Sequence, residues 1–74
     1  MQNLSLDITI PVLNEEHRLE RGITQALKFL ENSQINHYSI TIADNGSEDG
    51  TEIIAQKLTR RFPEIRFLKT GEKG

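Results

Sequence analysis

Tyr38-Ser39-Ile40-Thr41-Ile42-Ala43-Asp44-Asn45-Gly46-Ser47-Glu48-Asp49-Gly50-Thr51-Glu52-Ile53-Ile54-Ala55 is the stretch that decides the fold. Tyr38, Ile40 and Ile42 alternate with Ser39, Thr41 and Ala43, a period of two that predicts a strand. Asp44 through Gly50 is dense in the residues that turns favour. Beyond it Thr51, Ile54, Ala55, Leu58 and Phe62 fall on one helical face, with Glu52, Gln56, Arg60 and Arg61 on the other. A strand therefore passes through a polar loop into a helix. Pro63 closes that helix, and Ile65-Arg66-Phe67-Leu68 predicts a short further strand before the chain turns polar again.

Toward the N-terminus the same alternation recurs earlier. Leu6, Ile8, Ile10 and Val12 alternate with Asp7, Thr9 and Pro11, predicting a first strand whose ladder Pro11 should end. Leu19, Ile23, Ala26, Leu27 and Leu30 then take helical spacing, with Asn14 expected as the N-cap and Glu15 and Glu16 at the positive end of the helix dipole. Strand, helix, strand, helix, strand with helical crossovers predicts parallel strands, a Rossmann-like βαβαβ unit in a doubly wound α/β arrangement. Strands covered on both faces usually read as continuous apolar runs. The alternation here therefore leads to the expectation that the small Ser39, Thr41 and Ala43 lie under a closely packed helix. With two helices for two faces and an ending inside a loop, the expectation is a truncated domain.

The chain has 74 residues, room for one small domain at most. At 35% hydrophobic and 27% charged it has no stretch apolar enough to span a membrane and no extreme charge bias. A formal net charge of -2 supplies no basic field for nucleic acid, so nucleic acid is not an expected partner. Without cysteine there is no thiolate nucleophile or cysteine zinc site, and His17 and His37 are too far apart in sequence to form a helical metal pair. No secretory signal stands at the start, so a cytoplasmic location is the default expectation.

In open α/β sheets ligands bind outside the carboxyl ends of the strands, where helix N-termini point their free amides. Two loops meet that description, Pro11-Val12-Leu13-Asn14-Glu15-Glu16 and Asp44-Asn45-Gly46-Ser47-Glu48-Asp49-Gly50-Thr51. Ile10-Pro11-Val12-Leu13-Asn14-Glu15 and the Asp44–Thr51 run resemble the N-terminal signatures of family 2 glycosyltransferases, Ile-Pro-x-x-Asn-Glu and Asp-(Asp/Asn)-Gly-Ser-x-Asp-Gly-Thr. The resemblance covers almost the whole chain. It implies residues 1–74 are the N-terminal, nucleotide-recognising part of a GT-A fold, in an enzyme that moves a sugar from a nucleotide-sugar donor to a hydroxyl or lipid-phosphate acceptor. It places Pro11, Val12, Leu13 and Glu15 against the base and ribose, and turns Asp44 and Asn45 toward the base. A carboxylate accepts hydrogen bonds from a base N–H or ribose hydroxyls, and an asparagine both donates and accepts. Many members carry an aromatic residue where Leu13 stands and Asp where Asn45 stands, so stacking on the base is weaker here.

The family's divalent metal, Mg or Mn, its Asp-x-Asp ligands and its catalytic base lie further along a longer chain, so neither catalytic nor metal residues are assigned here. Membrane association is expected only through such further regions. Blander readings stand beside these. Asn14-Glu15-Glu16 reads equally as a helix cap, and Ser47 or Asp49 as another, with Glu52 closing a capping box. Asn45-Gly46 is also a hairpin signal, which the helical spacing after Gly50 opposes. Ser47 and Asp49 are expected to be mainly structural and Asp44 mainly functional. The competing function is a non-catalytic α/β module that binds a nucleotide or a protein.

Overall fold

The computed structural model describes residues 4–70. They form β1 (Ser5–Val12), α1 (Leu19–Glu31), β2 (His37–Asp44), α2 (Thr51–Arg61) and β3 (Ile65–Lys69), within a residue or two of the predicted elements except at the start of α1. The strands make one parallel sheet in the order β1-β2-β3. This is the βαβαβ unit expected from the alternation of periods.

Register explains which strand residues are apolar. Ile8 stands beside Ile40 and Ile65, and Ile10 beside Ile42 and Phe67, so one face of the sheet is a continuous apolar surface. That face meets Leu19, Ile23, Leu27 and Leu30 of α1 and Ala55 and Leu58 of α2 in a single core. Both helices thus lie on the same side, and the doubly wound layering is absent among the described residues. Strand order is the cause: β1 to β2 and β2 to β3 step in the same direction, and right-handed crossovers then put both helices on one face. Ser39 and Thr41 consequently sit on the opposite face with Asp7 and Thr9, not beneath a helix. There Ser39 Oγ donates to Asp7 Oδ1 at 2.6 Å. Alternating strands are what a sheet covered on one side requires.

Pro11 does not end the ladder, because β1 runs on through Val12. The Val12 carbonyl faces β2 and accepts from the Asn45 N–H at 2.9 Å, so the neighbouring Pro11 turns its nitrogen to the sheet edge, where no donor is needed. Helix α1 also starts later than expected. Its N-cap is Arg18, not Asn14, and Glu15 and Glu16 lie in the turn before it, where the Glu15 carbonyl accepts from Arg18 and Leu19. Asn14 has φ 52°, a left-handed conformation that asparagine tolerates better than most residues. Gly46, at φ 94°, supplies the matching bend in the second loop.

Candidate functional site

Both polar loops leave the carboxyl ends of adjacent strands, β1 and β2, and are therefore side by side. Three consecutive N–H groups of the first loop are received by side chains of the second. Asn14 N–H donates to Ser47 Oγ at 2.8 Å, Glu15 N–H to Thr51 Oγ1 at 2.7 Å, and Glu16 N–H to Asp49 Oδ2 at 3.3 Å. The second loop returns the pattern. Glu48 N–H donates to Asn14 Oδ1 at 2.8 Å and Gly50 N–H to Glu16 Oε1 at 2.7 Å. Together these bonds satisfy the backbone of two segments that leave regular structure.

This zipper settles several roles. Ser47 and Asp49 are committed to the loops, as expected. Asp49 also accepts from the N–H and hydroxyl of Thr51, whose side chain is fully buried. The capping box is not formed. Glu52 instead pairs with Lys69 Nζ at 3.2 Å and accepts from Gln56, while the Gly50 N–H at the start of α2 is held by Glu16 from the other loop. Partial burial acts to raise the pKa of Asp49, but hydrogen bonds from the Thr51 hydroxyl, the Thr51 and Glu16 N–H groups and its own N–H hold it below the ordinary carboxylate value.

Asp44 behaves differently from the other loop acids. It ends β2 on the helix-covered side and is 0% exposed. Its Oδ1 accepts from the Ser47 N–H at 3.0 Å, and its Oδ2 has no hydrogen-bond partner among the described residues. A buried carboxylate oxygen without a donor costs free energy comparable to a lost hydrogen bond, about 1–3 kcal/mol or more for a charged group. Asn45 beside it is exposed, and its Oδ1 lies 3.2 Å from the Thr70 hydroxyl, which also reaches the Asp44 carbonyl. Leu13 projects at 50% exposure on the first loop.

The remaining sequence-predicted residues gather elsewhere on that loop. Pro11, Val12 and Glu15 line a shallow notch of about 220 Å³ beside the outer edge of β1, with Arg18, Leu19 and Ile23. Val12 is 6% exposed, so its side chain belongs to the core. Glu15 Oε1 accepts from Arg18 Nε at 3.0 Å and Nη2 at 2.9 Å. Ordinary ligand pockets enclose roughly 300–1,000 Å³, so the notch is one wall and not a closed site. The six residues thus divide into Pro11, Val12 and Glu15 at the notch, Leu13 and Asn45 exposed on the loops, and Asp44 fully buried at the end of β2. The cross-loop roles of Asn14, Glu16 and Thr51 escaped the sequence reading. Their signal was present: each loop holds more short polar side chains than one helix cap can use. Among the described residues no three His, Asp or Glu side chains converge on a point where a metal ion would sit.

Three similar proteins carry one description. The chain is 34% identical over 61 residues to the dolichyl-phosphate beta-glucosyltransferase of Mus musculus, 77% of this chain and 19% of that protein. The Dictyostelium discoideum protein of the same name is 32% identical over 75 residues, 93% of this chain and 23% of that one. The Homo sapiens protein is 31% identical over 78 residues, 93% of this chain and 24% of its own. The chain thus spans about a fifth to a quarter of the length of these relatives. The family model of glycosyl transferase family 2 matches residues 7–74, both polar loops included, and the chain belongs to that family.

Proposed function

We propose that this chain supplies the nucleotide-binding loops of a glycosyltransferase that moves a sugar from a nucleotide-sugar donor to a hydroxyl or lipid-phosphate acceptor. The observation that carries the reading is the partnerless Oδ2 of the buried Asp44 between the two loops. A base N–H that reaches that oxygen as the two loops part supplies the donor it lacks, and the Asn45 amide beside it adds a second polar contact to the base edge. Exposed Leu13 offers an apolar surface to the base, and Glu15, steadied by Arg18, faces the ribose hydroxyls from the notch. The names of the similar proteins favour a lipid phosphate over a plain hydroxyl as acceptor. Following the resemblance, we assign the divalent cation, Mg or Mn, to ligands outside this chain.

Incubating the full-length protein with a panel of nucleotide sugars, with and without a polyprenyl phosphate, tests the reading. Release of nucleoside diphosphate that depends on the lipid phosphate is expected. Nucleotide sugars that bind but are never turned over with any acceptor would favour the non-catalytic module.

A further inference from the structure

Glu16 lies immediately after the residues that the resemblance places at the ribose, and nothing in that resemblance gives it a role. Its Oε1 accepts from the Gly50 N–H at 2.7 Å across the two loops, and its Oε2 lies 3.3 Å from the exposed His17 Nε2. A Cβ on residue 50 would stand 2.6 Å from Glu16 Oε1, so an alanine there obliges the flexible Glu16 carboxylate to shift. The bond fixes the point where the second loop enters α2, while Asn14 holds the same loop at Ser47 and Glu48. At the Asn14 anchor, three residues before Gly50, the Ser47 N–H meets Asp44 Oδ1. The rotation of the Asp44 carboxylate, and with it the aim of Oδ2, is therefore set by the closure of the loops.

We propose that Glu16 is a positioning residue of the nucleotide site, its clasp on the Gly50 N–H setting the direction in which Asp44 offers its free oxygen to the base. The proposal rests on the nucleotide reading of Asp44. It does not require Glu16 to touch the ligand. Losing that hydrogen bond lets the loop sample geometries in which Asp44 turns away.

The test is calorimetric titration of the full-length protein with UDP, GDP, CDP and ADP, continued with whichever binds, beside a thermal melt of each variant. Glu16→Ala is expected to weaken binding about tenfold. Glu16→Gln, which keeps an oxygen facing the Gly50 N–H, should stay within about threefold of wild type. Gly50→Ala, which displaces the carboxylate from the opposite side, should match Glu16→Ala and add nothing to it in the double variant. In an Asp44→Ala background Glu16→Ala should have no further effect on affinity, which a merely structural role would not predict. Unchanged affinity in Glu16→Ala, with Asp44→Ala strongly impaired, overturns the positioning role and leaves the nucleotide reading intact. Unchanged affinity in both overturns the nucleotide reading itself. Loss in Glu16→Ala that Glu16→Gln fails to restore also overturns the proposal, since charge and not the clasp would then be acting.

Discussion

Asp44 and Thr51 are both fully buried polar residues, yet they differ in what satisfies them. Thr51 Oγ1 receives the Glu15 N–H and donates to Asp49, so its hydroxyl is used twice. Thr51→Val keeps the shape and removes the hydroxyl, leaving a part-buried N–H without its partner. We expect a loss of roughly 1–3 kcal/mol, read as a lower urea midpoint at unchanged slope. Asp49 titrates with a predictable sign. Its pKa in the folded protein lies below the ordinary value, so it adds stability above pH ~4, and that contribution disappears as pH falls through the depressed value. A urea series from pH 6 to pH 3 should show Asp49→Asn losing less stability on acidification than wild type; parallel curves would contradict the assignment. Residue chemistry of this kind was half legible in the sequence. That Ser47 and Asp49 serve the loop and Asp44 stands apart followed from turn propensities and resemblance. Which loop each side chain serves did not, because a cross-loop hydrogen bond links residues more than thirty positions apart and local pattern carries no such information.

Elements were the most readable level, since period two and period 3.6 are distinct and each segment kept to one of them. Boundaries moved where tertiary bonds replaced local caps. Asn14 reads as an N-cap, but its side chain is taken by Glu48 N–H of the other loop, and α1 begins at Leu19. The layering differs from the expected doubly wound arrangement for a related reason: alternating strands directly mean a sheet with one face covered. Helix α1 supplies a clean contrast for testing that core. Ile23 is 1% exposed and Phe29 on the same helix is 73% exposed. Ile23→Ala should cost about 2–5 kcal/mol, whereas Phe29→Ser should stay within about 0.5 kcal/mol. Equal losses at the two positions would mean that the outer side of α1 is covered in the intact protein.

At the scale of the whole molecule, a three-stranded sheet with helices on one side has a second face that carries Asp7, Thr9, Ser39, Thr41 and Arg66 beside Pro11, Ala43 and Leu68, and two strands with an unpaired edge among the described residues. Small cores of this size leave little stability in reserve. The 74-residue chain on its own is therefore expected to bind nucleoside diphosphates weakly, to show little dependence on manganese, and to transfer no sugar. Tight binding by this chain that requires manganese would reveal a cation site among Asp44, Glu48 and Asp49. No helix among the described residues is long and apolar enough to cross a membrane.

The central claim is that the two zippered loops read a nucleobase through the free oxygen of Asp44. Isothermal titration of the full-length protein with the nucleoside diphosphate it binds best, comparing wild type with Asp44→Ala and Asp44→Asn, tests it most directly. At least a tenfold loss of affinity is expected in both variants. Wild-type affinity in Asp44→Ala would contradict it.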